Sequence, residues 1–112
     1  MVAKERRSSK RIPIKFKVDC LHEQNYLISY SKDLSPDGMF IQTESPPEVG
    51  QKITLQFPLG GRSKQEASAR VVWVNTSGSQ QDIGMGVKFI KPTVALKNEI
   101  MNFVKKVAVL EK

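Results

Sequence analysis

From Ile12 onward the chain alternates apolar and polar positions: Ile12, Ile14, Phe16, Val18 and Cys20, with Lys15, Lys17 and Asp19 between them. A strand sends successive side chains to opposite faces, so a period of two predicts a half-buried strand here. Tyr26, Ile28 and Tyr30 repeat the pattern, as do Ile53, Leu55 and Phe57. "MFIQT" (39–43) is short and rich in strand formers, and "ASARVVWVN" (67–75) reads as a longer strand. Ile83, Met85, Val87 and Phe89 alternate with Gly84, Gly86 and Lys88. The connecting stretches "SPDG", "SPPEVGQ", "LGGRSK" and "NTSGSQQD" are built from turn residues. Six short strands at this spacing predict an antiparallel barrel or a sandwich, because closure removes exposed edges.

The period changes near the C-terminus. Leu96, Ile100, Phe103, Val104, Val107 and Leu110 fall on one helical face, with Lys97, Asn98, Lys105 and Glu111 largely opposite. Pro92 and Thr93 suit the start of a helix over about 93–110. Such a stripe predicts packing on the barrel, with a dimer or partner interface as the alternative.

Length and composition add bounds. The 112 residues make one domain with a modest core, and 39% hydrophobic and 26% charged residues are ordinary for a globular protein. No apolar run approaches the roughly 20 residues needed to span a bilayer, so membrane insertion is not expected. The single cysteine cannot form an internal disulfide, and a cytoplasmic setting follows as the expectation. Charge is distributed unevenly. Residues 1–18 carry a net +6, residues 19–91 a net −1 and residues 92–112 a net +2, within a total of +7. A general nucleic-acid binder would spread cations over a face of the fold. Here the body is nearly neutral, so RNA or single-stranded DNA is a poor partner, and any anion site is local.

Catalysis has little to stand on. His22 is the one histidine and lies in a polar turn, where a solvated role is expected. Cys20 is in register with core positions, so it reads as a small buried residue, not a nucleophile. Asp33 and Asp37 could pair as carboxylates, yet no zinc-ligand set, phosphate-binding glycine loop or nucleophile elbow accompanies them. No enzyme, metal or cofactor is expected.

Two local patterns remain. In "RRSSKR", Arg7 and Arg11 are four apart, and guanidinium groups present forks to phosphate oxygens or to guanine O6 and N7. In "DLSPDG", Asp33 can accept two parallel bonds from a guanine edge and Ser35 adds a hydroxyl. Gly38 can take a positive φ or let the backbone approach a ligand. Either pattern alone is ordinary: basic arms are common, and Asp, Ser, Pro and Gly are what turns are made of.

Together, R-x-x-x-R just before the first strand and D-x-S-x-x-G at the end of the second resemble the PilZ domain family. "VVWVN" (71–75), "GMGVKF" (84–89) and a following helix extend the likeness over nearly the whole chain. The resemblance implies an all-β fold, a six-stranded antiparallel barrel with a C-terminal helix, binding the bacterial second messenger cyclic di-GMP. It implies a mobile basic arm over residues 1–11 and a barrel with its helix over residues 12–112. Arg7 and Arg11 would hold phosphates and guanine edges, and Asp33, Ser35 and Gly38 would meet a guanine on the barrel surface. Arg6, beside the first motif arginine, goes in similar domains with two intercalated cyclic di-GMP molecules, whose crowded phosphates a third guanidinium would relieve. Trp73 is an additional contact candidate, although a strand tryptophan is expected in the core. The implied action is a receptor whose arm and partner surface change on binding, within motility or biofilm regulation, with the downstream protein unknown. A PilZ-fold adaptor working through protein contacts alone is the first alternative, and a small RNA- or single-stranded-DNA-binding barrel the second.

Overall fold

The computed structural model describes residues 12, 13, 15–59 and 64–110. Arg6, Arg7 and Arg11, and with them the basic arm, lie outside the described residues. The strands are β1 (Ile12–Pro13), β2 (Lys17–His22), β3 (Asn25–Ser35), β4 (Gly38–Gln42), β5 (Lys52–Pro58), β6 (Lys64–Asn75) and β7 (Gly84–Phe89). A 3₁₀ turn over Gln80–Asp82 precedes β7, and helix α1 (Val94–Leu110) follows it.

Every pairing is antiparallel. The order β3-β2-β5-β6-β7-β4 closes through β4 back onto β3, giving a six-stranded barrel. The short β1 also pairs with β3 and runs in line with β2. The unbroken alternation from Ile12 to Cys20 therefore folds as two pieces. Between them, Phe16 stays tied to β3: its carbonyl accepts from the Ser31 amide at 2.9 Å, and its own amide donates to the Ser31 hydroxyl at 3.1 Å.

The β2–β3 hairpin reverses an expectation. Its two-residue turn has Glu23 at φ 58°, the left-handed geometry that suits tight hairpins. That turn sets Val18 opposite Ser29 and Leu21 opposite Tyr26. Val18 and Cys20 face the core, so Tyr26, Ile28 and Tyr30 fall on the outer surface and are exposed. Alternation marked the strand correctly but not which face is inward, because register is fixed by the turn.

Inside the barrel, Val18, Leu34, Met39, Ile41, Leu55, Phe57, Val71, Met85 and Val87 are fully or almost fully buried. The helical stripe from Leu96 to Val107 is core, while the Leu110 side chain lies outside the described ones. Leu96, Ile100 and Val104 are buried, and Phe103 and Val107 pack against the same cluster. Phe16 lies between Phe57, with ring centroids 5.9 Å apart, and Phe103 at 6.4 Å edge-on, so the helix plugs one end of the barrel. Thr93 caps the helix, its hydroxyl accepting from the Leu96 amide at 3.0 Å. Among the described residues, no helix is long and apolar enough to cross a membrane.

Candidate functional site

Two bulges build the site. Opposite β4, β3 carries one extra residue, Lys32, between the pairs Ser31–Ile41 and Asp33–Phe40. Opposite β7, β6 carries one extra residue, Val72, between Val71–Val87 and Trp73–Gly86. An inserted residue turns two successive side chains to the same side. Lys32 and Asp33 thus share the outer face with Val72 and Trp73, while Leu34 and Val71 stay in the core.

The register joins both bulges in one transverse row. Asp33 pairs with Phe40, Phe40 with Gly86, and Gly86 with Trp73. Phe40 is buried yet stands apart from the interior cluster, because the indole of Trp73 stacks on it at 5.3 Å and 29°. Lys32 also lies over the ring, with Nζ 5.6 Å from its centroid. Trp73 itself is 49% exposed. The expected core role is overturned, and the cause is the bulge at Val72, which puts residue 73 on the face its neighbour already occupies.

A cleft of about 470 Å³ opens above this row, lined by Lys32, Asp33, Phe40, Trp73, Asn75, Ser77 and Asp82. At one end, Asp33 Oδ1 accepts from the Phe40 amide at 3.0 Å, fixing the carboxylate at the barrel wall. At the other, Asn75 donates to the Asp82 carbonyl at 2.7 Å. Lys32 Nζ donates to Asp82 Oδ1 at 3.1 Å. Asp82 is held below the ordinary carboxylate range by that bond first and by the Ser79 hydroxyl second.

The other motif residues shape the turn. The Ser35 hydroxyl is buried, accepts from the Asp37 amide at 3.2 Å and donates to the Gly38 carbonyl at 3.4 Å. A side chain at Gly38 would strike the Val87 carbonyl oxygen. Glycine is needed there because β7 passes so close, and not for a left-handed backbone, which among the described residues occurs at Glu23, Gly50, Gly78 and Lys91. Of the three motif residues, Asp33 is the one that lines the cleft.

The remaining candidates play structural parts. Cys20 is buried, which pushes its thiol up to about 11 and leaves it unreactive near neutral pH. His22 is not simply solvated: its Nε2 lies 2.9 Å from Gln51 Oε1. Among the described residues, no group of three His, Cys, Asp or Glu side chains gathers as a metal site.

Sequence reasoning missed Lys32, Phe40, Gly86, Asn75 and Asp82. The alternating register across β4 and β7 places Phe40 beside Gly86, but nothing local announces a bulge. A large aromatic opposite a glycine on a neighbouring strand was the one signal available.

The PilZ domain family model matches residues 5–106. The chain belongs to the PilZ domain family. Solved structures similar to it include the Bacillus subtilis inhibitor of motility MotI/DgrA, at 14% identity and a TM-score of 0.81. That match covers 96% of this chain and 53% of the other, so the chain spans about half the length of the Bacillus protein. The PilZ domain of YcgR from Escherichia coli, described with c-di-GMP, matches at 15% identity and a TM-score of 0.70, covering 95% and 94%. The PilZ domain of CeSA from a cellulose-synthesizing bacterium matches at 15% and 0.68, covering 89% and 99%. No curated protein matches the sequence.

Proposed function

We propose that this PilZ domain is a cytoplasmic, non-catalytic receptor for cyclic di-GMP. The observation that carries the reading is the row from Asp33 across Phe40 to Trp73, which sets a carboxylate acceptor beside an apolar platform. A guanine needs an acceptor for its N1–H and amino group, and it gains from a ring to lie against. Asp33 supplies the first, and the half-exposed Trp73 ring, backed by the buried Phe40, supplies the second. Membership of the family, and the complete R-x-x-x-R and D-x-S-x-x-G motifs, support the same ligand.

Roles divide by chemistry. Arg7 and Arg11 take phosphates and guanine edges, and Arg6 adds the cation that a second, intercalated molecule requires. Ser35 and Gly38 hold the turn that presents Asp33, the buried Ser35 hydroxyl acting through its bonds to Asp37 and Gly38. Lys32 lies next to Asp33 and turns from Asp82 toward a phosphate. Binding folds residues 1–11 down over the cleft, changing the surface read by a downstream protein. Calorimetric titration with cyclic di-GMP, set against a single-stranded oligonucleotide, tests the reading. Saturable binding of the dinucleotide alone is the expected result.

A further inference from the structure

A second feature lies away from the cleft at Asp33. β3 pairs with β2 from Asn25 to Tyr30 but with β4 only from Tyr30 onward. The Ser31 amide donates to the Phe16 carbonyl, so the backbone of Ser31 faces the β2 side. Antiparallel pairing alternates these directions residue by residue. Ser29 therefore faces β2 as well, and the N–H and C=O groups of Tyr26 and Ile28 face the other way. Among the described residues, no strand pairs with Asn25–Ser29 on that side. What lies there is a cleft of about 540 Å³, bounded by Ile28, Tyr30, Gln42, Glu44, Gln80 and Ile83.

The strand itself carries none of the usual protection, the cation that lines this cleft being Lys15, whose Nζ lies 5.4 Å from the Tyr30 ring centroid at the β4 end. Native edges are blunted by charge, proline or a bulge. "QNYLISYS", residues 24–31, contains no charge, no proline and no glycine. Tyr26 and Ile28 are 57% and 54% exposed, and Leu21 and Tyr30 extend the apolar stripe.

We propose that the edge pairs with the same edge of a second copy, antiparallel about a two-fold axis at Leu27. An extended backbone is the ligand whose donors and acceptors repeat at strand spacing. The open length is five residues, Asn25–Ser29, closed by the hairpin turn at one end and by β4 at the other. Centring the axis on Leu27 uses that length and nothing more. It sets Tyr26 opposite Ile28 of the second copy and Ile28 opposite Tyr26. These are aromatic–β-branched pairs, and the interface is self-complementary. Both members of each pair carry outward-facing backbone groups, so four N–H···O bonds form across the axis. The segment is uncharged, but each copy carries +7, so salt strengthens the association by screening the repulsion. So short an interface forms a reversible dimer, not an obligate one.

Sedimentation velocity on the full chain at rising concentration, up to ~1 mM, tests this at low and high salt. The average mass is expected to climb from 12.6 kDa toward twice that value, more steeply at high salt. Ile28→Lys, which removes an exposed apolar side chain and sets two cations near the axis, is expected to stay at 12.6 kDa with an unchanged melting temperature. In wild type, hydrogen exchange at the Tyr26 and Ile28 amides is expected to slow as concentration rises. A mass that stays monomeric throughout overturns the proposal. So do amides already protected in the dilute monomer, which would mean that the same chain covers the edge. Equal dimerisation of Ile28→Lys would place the interface elsewhere, and an edge filled only by other proteins would leave this chain monomeric at every concentration.

Discussion

The indole of Trp73 fills the space above Gly86 that any side chain at that position would need, with Nε1 the nearest atom to an added Cβ. That vacancy lets the ring lean across β7 and stack on Phe40, two strands away. Glycine at 86 therefore serves the outer surface, while its neighbours Met85 and Val87 serve the core.

Gly86→Ala is expected to push the indole off Phe40. The ring is half exposed and free to swing outward, so stability should fall by no more than about 1 kcal/mol. Trp73 is the sole tryptophan, and its fluorescence should shift to longer wavelength. Affinity for cyclic di-GMP should drop about tenfold, since a base–aromatic stack contributes ~1–3 kcal/mol. Unchanged affinity with a displaced ring would remove Trp73 from the site.

Asp33→Asn separates ligand contact from local structure. The amide oxygen can keep the bond from the Phe40 amide, but the new NH₂ faces guanine's own donors. Binding should weaken more than tenfold, as expected for losing a charge-assisted pair of ~1.5–3 kcal/mol. The melting temperature should move little. The reverse pattern, a large melting loss with affinity kept, would make Asp33 a turn residue only.

Lys32 and Asp82 should give opposite signs. Their ion pair is half exposed on both sides and therefore weak, so the lysine can exchange its partner. Asp82→Asn frees that cation and is expected to tighten cyclic di-GMP binding by about two- to fivefold, in keeping with ~0.2–1 kcal/mol for an exposed pair. Lys32→Met should weaken it. Calorimetry on both variants checks the pair, and weakening in both would assign the ion pair to holding the 76–83 loop.

How much of this could be read from the chain alone differs by element. The strand positions and α1 follow from periodicity, and Ile100 and Val104 occupy the core as their spacing implied. The motif order led to the family without any coordinates. What stayed hidden is register. The hairpin turn at Glu23 sends Tyr26, Ile28 and Tyr30 outward, and the bulges at Lys32 and Val72 move Asp33 and Trp73 to one surface. One residue of slip exchanges inside for outside, and no local composition records it.

Asp19 offers a test of stability against pH. Its carboxylate is buried on β2, and Lys64 Nζ donates to its Oδ2 at 2.6 Å. That bond, ahead of the opposing effect of burial, holds Asp19 below its ordinary value of 3.8. A carboxyl depressed on folding stabilises the native state above its unfolded pKa and loses that contribution as pH falls through the folded value. Asp19→Asn should therefore lower the melting temperature at neutral pH, and the difference from wild type should shrink below about pH 4. A difference that grows on acidification would contradict the assignment.

The most direct test of the receptor reading is calorimetric titration of the full chain with cyclic di-GMP, alongside Arg7→Ala and Arg11→Ala. Wild type is expected to saturate at two molecules per chain, and each variant to lose more than tenfold in affinity, because each loses a charge-assisted fork of ~1.5–3 kcal/mol. A shallow salt dependence should accompany binding, since only a few phosphate charges are neutralised. No heat from cyclic di-GMP, with an oligonucleotide binding instead at a log–log salt slope near about −5, would contradict the account and make the basic stretch a nucleic-acid arm.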